Sequence, residues 1–195
     1  MSKGQINSYS EGACVKVSKF LSLVLRHKPD TIGITLDEHG WTDVEELMKK
    51  SKEHGVNFDL DMLDFVVKTN NKKRFAFNDS KTKIRASQGH SVDVDLCLQQ
   101  QVSPEFLFHG TSIASVNSIM STGLNKGKRN HVHLSKDVDT ALKVGMRHGK
   151  PVVFRVLAAN MVATGKYVFY LSENGVWLTN NVPPEFLELK EIPTK

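Results

Sequence analysis

Between residues 15 and 25 the apolar positions recur at helical spacing, with Val17, Phe20, Leu21 and Val24 on one face, and Pro29 predicts an end near Arg26 or His27. The next segment predicts a helix capped by Thr42, with Glu45 completing a capping box, Val44, Leu47 and Met48 as its inner stripe and Gly55 as its stop. A third helix is predicted to start near Asp59, with Leu60, Leu63, Val66 and Val67 inward. The period then shortens: residues 74–77 and 82–86 read as strands, joined by Asn78, Asp79 and Ser80 in a hairpin turn. Three short helices followed by a basic hairpin outline a winged helix, a module that lays cationic side chains on nucleic-acid backbones. A polar connector around Val92, Val94 and Leu96 closes at Pro104, which divides the chain into predicted domains of 1–103 and 104–195.

The second domain has a different rhythm. Short apolar runs at 106–108, 132–134, 152–156, 168–171 and 176–178 predict strands. Two helical stretches interrupt them, one with Ile113, Val116, Ile119 and Met120 before Gly123, the other with Val138, Ala141, Leu142 and Val144. The expected class is α+β. Neither GxGxxG nor GxxxxGK[ST] occurs, so a nucleotide here would not be held in the Rossmann or P-loop manner.

Charge adds a direction to this outline. The net charge is +5, and Lys72, Lys73, Arg74, Lys81, Lys83 and Arg85 gather around the predicted hairpin against Asp79 alone. Such a cluster is ordinarily a solvated face; on a wing it is also a candidate surface for a polyanion. The polar start MSKGQINSYSEG and the lack of an apolar run long enough to span a bilayer predict a cytoplasmic protein with no membrane partner. Cys14 and Cys97 lack CxxC spacing and support neither a disulfide framework nor a cysteine zinc site.

Four groups of residues suit chemistry. Arg26-His27 forms a charged tip behind the apolar face of the first helix, although a helix C-terminus favours positive charge by its dipole alone. The glycine-broken segment carrying Arg85, Gly89, His90 and Ser91 suits hydrogen bonding to a phosphodiester and reads equally as a connector. His109-Gly110-Thr111 is expected to follow a strand and open a helix, with Gly110 letting the backbone approach a flat ligand; a strand-to-helix turn with a core histidine fits the same residues. His131 and His133 alternate onto one strand face, but His148 is the only nearby candidate for a third ligand, so no metal is expected.

Seven segments, SKFLSLVLRHKPDTIGITLDEHGW, KKRFAFN, KIRASQGHS, FLFHGT, HVHLS, VGMRHGKPVV and NGVWLT, resemble in order the tRNA 2'-phosphotransferase family over nearly the whole chain. The resemblance implies a winged-helix lobe that binds RNA and a lobe of ADP-ribosyltransferase fold that binds NAD as co-substrate. It also implies a monomer acting without metal on a tRNA-like RNA that carries a 2'-phosphate. In the implied reaction the 2'-phosphate displaces nicotinamide from NAD; a ribose hydroxyl then attacks that phosphate, releasing RNA with a free 2'-hydroxyl and ADP-ribose cyclic phosphate. The family's cationic residues carry over to Arg26, His27, Arg74 and Arg129, with Lys126 and Lys128 close to the last. NAD contacts carry over to His109, Gly110, Thr111, His133 and Ser135, and Arg147 is placed either at the pyrophosphate or as a helix cap. RNA contacts are expected from Lys28, Arg85, Gly89, His90 and Ser91. Val176 stands where many protein-modifying ADP-ribosyltransferases have a catalytic glutamate, which argues against activation of an acceptor by a carboxylate. Two other readings remain: an ADP-ribosyltransferase that stops after the first step, and a winged-helix regulator whose second lobe only senses a nucleotide.

Overall fold

Ser10 caps the first helix, α1 (Glu11–Val24), by accepting the Ala13 N–H at 3.2 Å, and the helix buries Val17, Leu21 and Val24. The computed structural model describes residues 9–70 and 72–190, so the first eight residues of the polar start lie outside them. The chain divides into two compact units, the first ending at Leu96 and the second beginning at Cys97.

In the first unit, α1 shares a core with α2 (Val44–Glu53) and α3 (Leu60–Thr69), which contribute Leu47, Leu63 and Val66. A three-stranded antiparallel sheet, β1 (Thr42–Asp43), β2 (Phe75–Phe77) and β3 (Lys83–Ala86) in the order β1-β3-β2, adds Phe75, Ile84 and Ala86. Each large apolar side chain removed from water here is worth about 2 kcal/mol, which is why the helical and strand periods hold so closely. The hairpin forms between β2 and β3, and the Asn78 side chain closes its loop by accepting the Lys83 N–H at 2.8 Å and donating to Ser80 and Thr82.

The cap of α2 differs from the expectation. Thr42 is buried and paired with Ile84 as part of β1, so the cap falls one residue later: Asp43 accepts the Glu46 N–H at 2.8 Å. A two-residue strand has no periodicity to detect, and its pairing moved the helix start.

The second unit is built on two sheets, and all of its strand pairs are antiparallel. One runs β12-β8-β5, from β5 (Leu107–Ser112), β8 (Pro151–Val156) and β12 (Leu187–Lys190). The other runs β4-β9-β10-β7, from β4 (Gln100–Gln101), β7 (Val132–Leu134), β9 (Phe169–Leu171) and β10 (Trp177–Thr179). A bridge between Phe108 of β5 and Ser135, the residue after β7, links the two sheets. A short pair, β6 (Leu124–Asn125) with β11 (Asn181–Val182), and three helices, α4 (Val116–Thr122), α5 (Val138–Gly145) and α6 (Ala158–Ala163), complete the unit. Leu107, Leu134, Phe154, Met161, Phe169 and Trp177 fill the core. Antiparallel sheets with helices between them make the chain α+β. Residues 97–103 count with this unit, where Gln100 and Gln101 pair with Tyr170 and Phe169. Among the described residues no helix is long and apolar enough to cross a membrane.

His109-Gly110-Thr111 lies inside β5 rather than at the start of a helix; the strand runs to Ser112 and a 3-10 turn, Ile113–Ser115, precedes α4. Gly110 is required by packing. A Cβ on it would stand 1.6 Å from the Ala141 carbonyl oxygen of α5, and one on Gly145 would stand 2.7 Å from the Thr111 carbonyl oxygen. The two glycines let a helix and a strand approach backbone to backbone, which no side chain permits. Gly110→Ala therefore displaces α5 from β5 and is expected to lower the unfolding free energy by about 3 kcal/mol. Urea denaturation measures it, and a variant as stable as the parent would return the glycine to a role in ligand approach.

Candidate functional site

Each unit contributes one group of candidate residues, and each is assembled by its own local contacts. In the first unit, α1 ends at Val24, and the next residues turn sharply: the N–H groups of His27 and Lys28 both bond to the Leu23 carbonyl, at 3.0 and 2.9 Å. The turn leaves His27 and Lys28 exposed and Arg26 half-buried. The Arg26 guanidinium lies 6.0 Å from the Phe75 ring centroid, donates to the Arg74 carbonyl at 3.4 Å, and rests against Gly89. Arg74 donates to the Asn70 side chain at 3.5 Å, and Asn70 in turn donates to Ser18 of α1 at 3.1 Å. Arg85 stacks on Trp41, with 4.5 Å from guanidinium carbon to ring centroid. Ser91 sits 2.9 Å from His27, oxygen to Nδ1.

Arg26, His27, Arg74, Arg85, Gly89, His90 and Ser91 thus belong to one neighbourhood of the first unit. Phe75, Trp41 and Asn70, which support its arginines, were not singled out by sequence. Their signal was faint: Phe75 follows the basic run Lys72-Lys73-Arg74, but Trp41 has no arginine or lysine near it in sequence, and only the fold shows which cation each ring meets. The rest of the basic hairpin is partly neutralised, since Lys81 pairs with Asp64 at 2.7 Å and Lys83 with Asp37 at 3.2 Å.

In the second unit, His109 donates from Nδ1 to the His133 carbonyl at 3.1 Å. A carbonyl only accepts, so the Nδ1 position carries the proton and the lone pair is at Nε2. Burial holds the His109 imidazole below its usual range; the bond to His133 works against this, and the charges of His148 and Arg129 reinforce it. Arg129 donates to His133 Nδ1 at 2.6 Å, which assigns the His133 proton to Nε2 by the same logic. The backbones of Phe108 and Ser135 exchange bonds of 2.9 and 2.7 Å, bringing Ser135 to the strand that carries His109. His109, Arg129, His133 and Ser135 are therefore neighbours. Gly110 and Thr111 are buried in β5, and Arg147 is exposed in the 3-10 turn Met146–His148 beyond α5. His131 sits edge-on to Tyr170 at 5.7 Å between ring centroids. Among the described residues no three His, Cys, Asp or Glu side chains gather as a metal site. Val176 lies in a turn closed by Ser172, whose hydroxyl accepts the Val176 N–H at 3.1 Å.

His90 stands apart. It is 1% exposed, and among the described residues neither ring nitrogen has a hydrogen-bond partner, while Nε2 lies 3.3 Å from where a Cβ of Gly40 would be. Burial and the charges of Arg26, His27 and Arg85 push its pKa down to about 4, so the ring is neutral at pH 7. The unfolded chain binds a proton near pH 6.5 that the folded chain refuses, so the contribution to stability is complete above 6.5 and is lost as pH falls toward 4. Between pH 7 and pH 5 this one group should remove about 2 kcal/mol from the unfolding free energy. Urea midpoints at the two pH values, compared with those of His90→Leu, measure it. An NMR titration midpoint near 6.5 for His90 would overturn the assignment.

The model of the family described as "RNA 2'-phosphotransferase, Tpt1 / KptA family" matches residues 13–181. A probable RNA 2'-phosphotransferase of Flavobacterium johnsoniae is 52% identical, covering 93% of this chain and 99% of its own length. Those of Nostoc punctiforme and Fusobacterium nucleatum, also called probable RNA 2'-phosphotransferases, are 52% and 45% identical, covering 92% and 89% of this chain and 98% and 97% of their own. A match that spans both units, with relatives aligned over almost their full lengths, places the chain in the RNA 2'-phosphotransferase, Tpt1 / KptA family.

Proposed function

We propose that this chain is an NAD-consuming enzyme that removes a 2'-phosphate from RNA by transferring it to the ADP-ribose part of NAD. The observation that carries the reading is the concentration of Arg26, His27, Arg74 and Arg85 in one neighbourhood of the first unit, a winged helix in this reading. A phosphomonoester carries nearly two negative charges at neutral pH, and guanidinium groups held by aromatic rings and backbone carbonyls bind its oxygens without titrating. Family membership supports the substrate class, and the names of the relatives agree with it.

In the second unit, read as an ADP-ribosyltransferase-like lobe, the donor set fits NAD. His109 and His133 have defined tautomers, Ser135 lies beside them, and Arg129 brings a positive charge suited to an anionic ligand. When bound, NAD supplies the ribose carbon that accepts the phosphate and the hydroxyl that later attacks it. The chain's residues bind and orient. Arg26 and Arg74 hold the phosphate oxygens, and Lys28 and Arg85 hold the adjoining RNA backbone. His27 moves the proton in the second step, where a hydroxyl must lose one and the RNA 2'-oxygen must gain one. The first step needs no base, because phosphate oxygens are already ionised. No metal takes part in this scheme, and the enzyme acts in the cytoplasm as a monomer on a tRNA-like substrate.

Incubation with NAD and an RNA bearing a single internal 2'-phosphate is expected to yield nicotinamide, ADP-ribose cyclic phosphate and RNA with a free 2'-hydroxyl. Unchanged RNA would end the proposal, and ADP-ribosylated RNA accumulating without cyclic phosphate would favour an enzyme that stops after the first step. Arg26→Ala and Arg74→Ala are each expected to slow turnover by roughly 100-fold or more, the scale for loss of a fixed group that stabilises developing charge. His27→Ala should release nicotinamide while ADP-ribosylated RNA builds up. Arg129 is the fourth catalytic cation in this scheme and Arg147 a contact to the pyrophosphate, so Arg129→Ala should lower kcat whereas Arg147→Ala should raise the KM for NAD. The reverse pattern would exchange their roles.

A further inference from the structure

Residues 87–91 fasten the cationic neighbourhood of the first unit by five contacts. The Ser87 N–H donates to the Arg74 carbonyl at 2.8 Å, and its hydroxyl donates to the Lys73 carbonyl at 2.9 Å. Gly89, at φ +87, lies flat against Arg26; a Cβ there would stand 3.5 Å from Nη1. The Ser91 N–H donates to the Arg26 carbonyl at 2.8 Å while its hydroxyl meets His27 Nδ1 at 2.9 Å. Ser91 is thereby tied by its backbone to residue 26 and by its side chain to residue 27. Two anchors on adjacent residues restrict both the position of the hydroxyl and the plane of the imidazole.

From this geometry we infer that Ser91 is a positioning residue, whose hydroxyl oxygen accepts the His27 Nδ1–H and so keeps the basic lone pair on Nε2. The inference rests on the proposed role of His27 in proton transfer. A serine hydroxyl can donate or accept, but the transfer decides the direction. With Nδ1 engaged by Ser91, only Nε2 can take up a proton, so the neutral ring must hold its hydrogen on Nδ1. The ribose hydroxyl then gives its proton to Nε2 as its oxygen bonds to phosphorus. The same proton passes to the RNA 2'-oxygen as that oxygen's bond to phosphorus breaks. The ring returns to its starting tautomer with no net proton gained. Removing the hydroxyl frees the ring to populate the other tautomer, in which Nε2 carries hydrogen and cannot act as base.

Two readouts test this. In protein labelled with nitrogen-15 histidine, the long-range proton–nitrogen spectrum should show His27 as the Nδ1–H tautomer, a mixture in Ser91→Ala, and the parent pattern again in Ser91→Thr. In single-turnover assays Ser91→Ala should slow cyclic phosphate formation by about 10-fold, with nicotinamide release and the KM for RNA within about twofold of the parent. An Nε2–H tautomer in the parent protein, or an alanine variant that changes neither readout, overturns the inference. A change confined to the KM for RNA overturns it too and makes Ser91 an RNA contact. If the parent releases no nicotinamide from NAD and phosphorylated RNA, the reaction scheme fails, and the spectrum still decides the His27–Ser91 contact on its own.

Discussion

The carbonyl of Arg26 is the point on which the first unit's candidate site depends. Beyond the end of a helix, carbonyl groups lose their in-helix partners and need others. Here the Ser91 and Val92 N–H groups both turn to it, at 2.8 and 3.3 Å, bringing a segment more than 60 residues later in the chain against the tip of α1. Once that segment is fixed, Gly89 lies on the Arg26 side chain, Ser87 bonds the backbone before β2, and His90 is driven into the interior. Backbone groups near the end of α1 and before β2 thus help to hold the cationic residues together.

Holding them together costs energy. Like charges a few ångströms apart repel, and the repulsion grows as water is removed. The fold limits this cost in two ways. Phe75 and Trp41 present ring faces to Arg26 and Arg85, and the imidazole that fills the space among these cations stays neutral, with a pKa near 4. A neutral filler with neither nitrogen hydrogen-bonded among the described residues is itself unfavourable by about 1–3 kcal/mol, so this neighbourhood keeps a positive potential at the expense of stability. Such a trade is intelligible for a surface whose ligand is an anion.

The second unit solves a different problem. It lacks a glycine-rich nucleotide loop, and its histidines are oriented by β-strand backbone and by Arg129 instead. The placement of His109 depends on β5, and β5 in turn accepts α5 at a distance that only Gly110 and Gly145 allow. Helix packing and the placement of His109 are therefore coupled in one tripeptide.

Sequence alone determined the elements marked by an apolar period or run: α1 to α5, the β2–β3 hairpin, and the strands around Leu107, Val132, Phe154, Phe169 and Trp177. It also exposed Arg26-His27, because two cations behind an apolar face break a helical pattern. The short elements β1, β4, β6, β11, β12 and α6 were not read, since their stability comes from pairing and packing rather than from local preference. Tertiary structure alone decided that Asp43 caps α2, that Gly110 serves packing, and that His90 is buried while Ser91 reaches His27. Each of these depends on a partner distant in the chain, and periodicity carries no information about which distant residue will be met.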